Sequence, residues 1–142
     1  MRISDVLRNK GAGVLTVSPD MTVGELLASL VTRNVGAMVV VDPSGPVGIV
    51  SERDVVRSLH AHGVDVLGHR VADIMSTPVI TCTPADTVDF LSGLMTTNRV
   101  RHVPVLDGGA LTGIVSIGDV VKTRMEELEA QQEHLEAYIT QG

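Results

Sequence analysis

Slid along itself by 65 residues, the chain matches itself. Residues 15–57 align on 80–122 without a gap, and 16 of those 43 positions are identical. Average residue usage gives about 3 by chance. The match is sharpest where G-I-V-S-E-R-D at 48–54 returns as G-I-V-S-I-G-D at 113–119. A shifted match lies upstream: Ser4-Asp5-Val6-Leu7 resembles Ala72-Asp73-Ile74-Met75. The first copy therefore carries three more residues before its strand, assigned to Gly11-Ala12-Gly13. One copy of ~55 residues buries too little surface to stand firmly alone, so two copies must share a body.

Each copy reads as the same string of elements. A short helix (about 3–9, then about 71–75) leads to a short strand (14–17, then 79–82). Ser18-Pro19 and Thr83-Pro84 break the chain. From Thr22 to Asn34 the apolar residues Val23, Leu26, Leu27 and Leu30 keep helical spacing, as do Val88, Leu91, Leu94 and Met95 between Thr87 and Asn98. Thr22-Val-Gly-Glu25 is a capping-box pattern. Strands follow at 37–41 and 47–50, joined by Asp-Pro-Ser-Gly, and at 102–106 and 111–115, joined by Asp-Gly-Gly. Both joins carry hairpin-turn chemistry. A helix then starts at Ser51 and at Ser116. The unit is helix, strand, helix, strand, strand, helix, and the expected fold is α/β, two tandem motifs packed about a pseudo-two-fold axis. The expected divisions are 1–60, a linker at 61–70, 71–125, and a helical extension at 126–142.

Composition sets limits on function. Without Trp, and with single Phe and Tyr residues, the core must be built from Val, Leu, Ile, Met and Ala. A net charge of -6 with scattered basic residues argues against nucleic acid as a partner. The lone Cys82 excludes an internal disulfide and fits a reducing compartment. No apolar run is long enough to span a membrane, and the charged N-terminus MRISDVLRNK lacks a signal-peptide stretch. The expectation is a cytoplasmic protein with no membrane partner.

The order of elements, the doubled G-I-V-S-x-x-D and the segment V-R-H-V-P-V-L-D at 100–107 together resemble a tandem pair of CBS domains, named for cystathionine β-synthase: a Bateman module. The resemblance spans residues 1 to about 125 and implies a regulatory module that binds adenosine nucleotides. It places Asp54 and Asp119 on the ribose of the ligand, with Ser51 and Ser116 beside them. Thr16, Val17, Thr81 and Cys82 would line adenine slots, with Ala37, Met38, His102 and Val103 as opposite walls. Arg101 and His102 correspond to positions that contact phosphates in some members, and Arg53 adds a cation near a helix start. The implied ligand is AMP, ADP or ATP, ahead of NAD and S-adenosylmethionine, with no obligatory cofactor.

The residues themselves allow two readings of the junction. S-x-x-D at a helix start is a cap: Ser accepts a backbone N–H, and the acid suits the positive helix end. The same atoms can hold a nucleotide, because free N–H groups bind an anion and a carboxylate can take both hydroxyls of a vicinal diol. The copies also differ. Arg99, Arg101 and His102 stand where copy one has Asn34, Gly36 and Ala37, and Gly118 replaces Arg53. The two clefts are therefore expected to be unequal.

Other features carry less. His60, His62 and His69 make a poor zinc signature without partner Cys and fit a surface linker. Cys82 fits a small core hydrophobe. Gly11-Ala12-Gly13 lacks the third Gly of a dinucleotide fingerprint. No nucleophile–base pair or P-loop is present, so catalysis is not expected. From Ser116 the helix should run to about Ile139, with Val121, Met125, Leu128, Gln132, Leu135 and Ile139 on a heptad seam. Such a seam fits either packing on its own module or pairing in a homodimer, which the resemblance favours. The expected function is a sensor without an effector domain, acting on an unknown protein partner. The alternative is a ligand-free scaffold subunit.

Overall fold

The structure is a computed structural model and describes residues 1–11 and 13–141. Ala12, in the expected insertion Gly11-Ala12-Gly13, lies outside the described residues. Among the described residues twelve elements follow the doubled order, except that the second copy has no strand matching the first strand of the first. The first copy holds α1 (Ile3–Lys10), β1 (Thr16–Val17), α2 (Val23–Arg33), β2 (Ala37–Asp42), β3 (Gly45–Ser51) and α3 (Glu52–His62). A 3-10 turn (Val64–Gly68) leads to the second copy: α4 (Val71–Ile74), α5 (Val88–Asn98), β4 (His102–Asp107), β5 (Ala110–Ser116) and α6 (Ile117–Gln141).

The local chemistry behaves as the residues dictate. Thr22 and Thr87 cap α2 and α5 by accepting from the N–H of Glu25 and Phe90, each at 3.1 Å. At Thr22 the Glu25 side chain does not return the bond, so the expected box is a single cap. The second hairpin turns on Gly108 and Gly109, whose φ of 58° and 86° suit glycine. In the first, the Asp42 carboxylate accepts from the Ser44 N–H at 2.7 Å. β2 pairs antiparallel with β3 and β4 with β5, with bulges at Val40/Val41 and at Val105/Leu106. β1 lies parallel to β2. The strand expected at 79–82 shortens to one parallel bridge, Cys82 to Val105.

The expected linker is ordered. Residues 61–70 hold the last turn of α3 and the 3-10 turn, and Val66 within it is fully buried.

The leading helices are exchanged between the copies. Ile3 and Val6 of α1 are buried with Val88, Leu91, Met95, Val103 and Val115 of the second copy. Val71 of α4 is buried with Val23, Leu26, Val40 and Val50 of the first. Backbone bonds anchor both ends alike. Ile3 and Ser4 N–H donate to Asp86 and Pro84 carbonyls at 2.9 and 3.0 Å, and Val71 and Ala72 donate to Met21 and Pro19 at 2.8 and 3.0 Å.

The exchange explains the glycine that opens G-I-V-S. A Cβ on Gly48 would sit 2.5 Å from Met75 Sδ, and one on Gly113 would sit 2.5 Å from Leu7 Cδ2. Leu7 and Met75 are the matching residues of the upstream repeat. Each copy thus leaves a side chain out of its strand so that the other copy's helix can lie against it. With each core completed by a helix from the other copy, the two motifs form one body.

Candidate functional site

Each G-I-V-S strand ends at a helix start held by a reciprocal cap. Ser51 N–H donates to Asp54 Oδ2 at 2.8 Å, and Asp54 N–H donates to Ser51 Oγ at 3.3 Å. The Ser116 and Asp119 bonds are 2.9 and 3.2 Å. The cap reading of S-x-x-D therefore holds at both junctions. What differs is the surroundings.

Beside Asp54 lies a cavity of about 320 Å³ between the two motifs. Ser51, Glu52, Arg53, Asp54 and Arg57 of the first copy form one side. Arg99, Val100, Arg101 and His102 come from the second. Ile49, Pro78, Val79 and Ile80 supply apolar surface. Four arginines and two acidic residues thus line one cavity, in a chain whose net charge is -6. Among the described residues none of those four arginines forms an ion pair. Such an uncompensated cluster favours an anion. Arg99 holds a left-handed backbone, φ 54°, at the end of α5, where the repeat-related Asn34 has the same φ. Asn tolerates that conformation better than Arg, so the arginine is there at some backbone cost.

Asp54 has one oxygen to spare. Its Oδ2 serves the cap and also accepts from Ser51 Oγ at 3.1 Å, whereas Oδ1 accepts only the Ser76 hydroxyl at 3.3 Å. Asp119 is not in this position. Lys10, at the end of α1, donates to Asp119 Oδ2 at 2.7 Å and to the Ile114 carbonyl at 2.7 Å. Burial acts to raise the Asp119 pKa, but Lys10 and the Ser116 N–H outweigh it and hold the carboxyl below its usual range. His102 stands between the two junctions. Its burial first, then Lys10 and Arg101, lower its pKa against the pull of Asp119.

The other expected residues fall in two groups. Val17, Met38, Cys82 and Val103 point into the cores, each 5% exposed or less. Only their backbones remain to meet a ligand. Thr16 and Thr81 are exposed and Ala37 half-buried, and none lines the cavity. The lining lies one residue earlier than expected at two places, Gly36 and Ile80; at the second wall His102 lines the cavity as expected and Val103 does not. In β4, strand alternation sends the Val103 side chain toward the sheet's other face, into the core. Burial pushes the Cys82 thiol up to about 12, with Asp86 adding to it, as expected of a packed cysteine. Arg57 was legible in principle, since it lies one turn after Arg53 on the same helix face. Ser76 and the 78–80 stretch were not, because nothing local ties them to Asp54. Among the described residues no group of three His, Cys, Asp or Glu gathers as metal ligands would, His60, His62 and His69 included. No described helix is long and apolar enough to cross a membrane.

The family model for the CBS domain matches twice, at residues 3–61 and 71–126. The chain belongs to the CBS domain family. Among relatives, the mitochondrial CBS domain-containing protein CBSX3 of Arabidopsis thaliana is 39% identical, over 99% of this chain and 72% of its own. The crystal structure of a CBS-domain containing protein from Agrobacterium tumefaciens is 42% identical with a TM-score of 0.83, covering 87% of this chain and 99% of that one. A CBS domain protein from Pyrobaculum aerophilum, solved complexed with AMP, is 29% identical with a TM-score of 0.74, covering 84% of this chain and 89% of that one. The two matched stretches are the two copies of the repeat, so the fold is a tandem CBS pair.

Proposed function

We propose that this CBS pair is a regulatory sensor that binds an adenosine nucleotide in the cavity beside Asp54. The observation that carries the reading is the meeting, at one cavity, of a carboxylate oxygen with a single weak partner and four arginines that form no ion pair among the described residues. Asp54 Oδ1 takes the ribose hydroxyls, displacing only the Ser76 hydroxyl, and Ser51 stands beside it. The base lies against Ile49, Val79 and Ile80, flanked by the backbones next to Thr81, Cys82, Ala37 and Val103. The phosphates meet Arg101, His102, Arg53 and Arg99. A phosphate-bearing ligand such as AMP, ADP or ATP fits this charge better than S-adenosylmethionine, which brings its own positive sulfur. The AMP complex of the Pyrobaculum relative supports the class of ligand.

Because Arg53 and Arg57 come from one motif and Arg99 and Arg101 from the other, an anion between them favours the arrangement in which both pairs face it. Ligand and conformation are then coupled, and a protein partner in the cytoplasm reads the change without catalysis by this chain. Dimerisation belongs to the same reading. Beyond the first turns of α6, where Val120 and Thr123 are buried, the seam residues Met125, Leu128, Leu135 and Ile139 are each more than half exposed. That seam is not covered by its own module, although Arg124 and Glu127 on another face still pair with Asp89 and the N-terminus, and a second copy is the proposed occupant.

Calorimetric titration with AMP, ATP, NAD and S-adenosylmethionine tests the site. Saturable binding of AMP or ATP that Asp54→Ala weakens at least ~10-fold, the loss expected for charge-assisted hydrogen bonds to the ribose, supports it. No nucleotide binding to folded protein at millimolar concentration sinks it. The second reading, a ligand-free scaffold, draws on the complete caps at both junctions. It requires Asp54→Asn to lower stability with nothing to lose in binding.

A further inference from the structure

We propose that Lys10 is an internal occupant of the second junction, so that each chain takes one nucleotide, and that removing its charge frees a second ribose site at Asp119, open to an uncharged nucleoside. The inference rests on the nucleotide reading of the Asp54 cavity but can be judged apart from it.

The two junctions offer the same pair of acceptors, the carbonyl of the Ile in G-I-V-S and the carboxylate of the Asp. At the first, Ser76 serves both. Its N–H donates to the Ile49 carbonyl at 2.8 Å, and its hydroxyl donates to Asp54 Oδ1 at 3.3 Å. At the second, Lys10 Nζ serves both, donating to the Ile114 carbonyl and to Asp119 Oδ2 at 2.7 Å each. A long bond from a neutral hydroxyl is thus replaced by a short one from an ammonium group, with both partners charged.

The cause is helix length. The exchanged helix α4 stops at Ile74, after four residues, and the chain turns away to pair Ser76 with Ile49. The exchanged helix α1 runs eight residues, and its last turn brings Lys10 over β5. The copies also separate the anion-binding cations from this acid. Arg99, Arg101 and His102 of the second copy line the cavity of Asp54, and Gly118 stands where the first copy has Arg53. The cation paired with Asp119 is therefore Lys10, and it covers the carboxylate a ribose needs. Its lowered pKa agrees with a carboxylate held in the charged, paired form.

The test is the stoichiometry of adenosine binding by calorimetry in wild type, Asp119→Ala, Lys10→Gln, Lys10→Arg, and the double variants Lys10→Gln with Asp54→Ala or with Asp119→Ala. Wild type and Lys10→Arg bind one adenosine per chain, and Lys10→Gln binds two. Lys10→Gln/Asp54→Ala keeps one site, and Lys10→Gln/Asp119→Ala keeps the other. Circular dichroism checks the fold, and Lys10→Met, which keeps the alkyl stem, replaces any Gln variant that unfolds. Equal stoichiometry in wild type and in the neutral variant overturns the proposal, as does a wild-type site lost on Asp119→Ala. If wild type binds neither AMP nor adenosine, the Asp54 reading fails alone. Adenosine binding to Lys10→Gln/Asp54→Ala then still supports the role of Lys10, and its absence overturns it.

Discussion

The Asp54 and Asp119 junctions agree in sequence, strand register and cap geometry, yet one faces an open cavity and the other an ammonium group. Their capping bonds match to within the spread of ordinary hydrogen bonds. The repeat therefore copies local structure faithfully. What it does not copy is the neighbour, because each junction is completed by the other motif. The first acid meets the arginines of the second copy, and the second acid meets a lysine carried in by the first helix. Duplication gives two equal scaffolds, and a few substitutions at the exchanged elements make them unequal.

The largest expected effect comes from breaking the exchange itself. Gly48→Ala drives a methyl into Met75, and Gly113→Ala drives one into Leu7. Overpacking of this kind costs about 1–3 kcal/mol. The comparison is sharpened by crossing the variants. Gly48→Ala combined with Met75→Ala should show coupling of at least ~0.5 kcal/mol in a urea-denaturation cycle, and so should Gly113→Ala with Leu7→Ala. The cross pairs, Gly48→Ala with Leu7→Ala and Gly113→Ala with Met75→Ala, should add independently. Coupling in the cross pairs instead would mean that each leading helix packs on its own copy.

A smaller difference separates the two acids. Asp54→Asn gives up a charge at a helix N-terminus, worth about 0.3–1 kcal/mol. Asp119→Asn gives up the same and strands Lys10, whose side chain is 36% exposed and its partner's 22%. A pair that accessible adds at most about 1 kcal/mol. Asp119→Asn should therefore be the less stable variant at pH 7, and salt should narrow the gap. Equal chemical denaturation midpoints at low salt would count against a working Lys10–Asp119 pair.

Much of this architecture is legible in the residues alone. The repeat yields element order, both hairpins and both caps, because those depend on residues within one turn or one strand pair. Helix exchange is not legible. The match of Ser4–Leu7 with 72–75 shows that two helices are alike, and says nothing about which sheet each one covers. The site shows the same division. Ser51, Arg53 and Asp54 lie in one short segment, and their grouping follows from the helix start. That Asp54 shares a cavity with Arg101 and His102 depends on how two motifs pack, and only the three-dimensional course of the chain around residues 37, 81 and 103 separates wall from core. Lys10 is one charged residue in a surface helix, where most lysines are solvated.

The smallest effect lies between the junctions, at His102. It is flanked by Lys10 of α1, Asp119 of α6 and Arg101 of its own strand lead. Burial, then Lys10 and Arg101, keep the folded imidazole neutral below its usual range, against the weaker pull of Asp119. The unfolded chain takes up that proton near pH 6.5. Folding above pH 7 is therefore indifferent to His102. As pH falls through 6.5 the unfolded state gains a proton that the folded state refuses, and stability declines until the folded pKa is reached. Asp119, whose folded pKa is also lowered, adds its own loss only below the ordinary carboxylate range. Thermal midpoints at pH 8 and pH 5.5 should thus fall further for wild type than for His102→Gln, with the two matching at pH 8. A nucleotide in the Asp54 cavity reverses the sign of the local field, since phosphate beside His102 stabilises the imidazolium. Bound AMP should shrink the difference between the two proteins at pH 5.5. An unchanged difference would place the phosphate elsewhere than at the His102 end of the cavity.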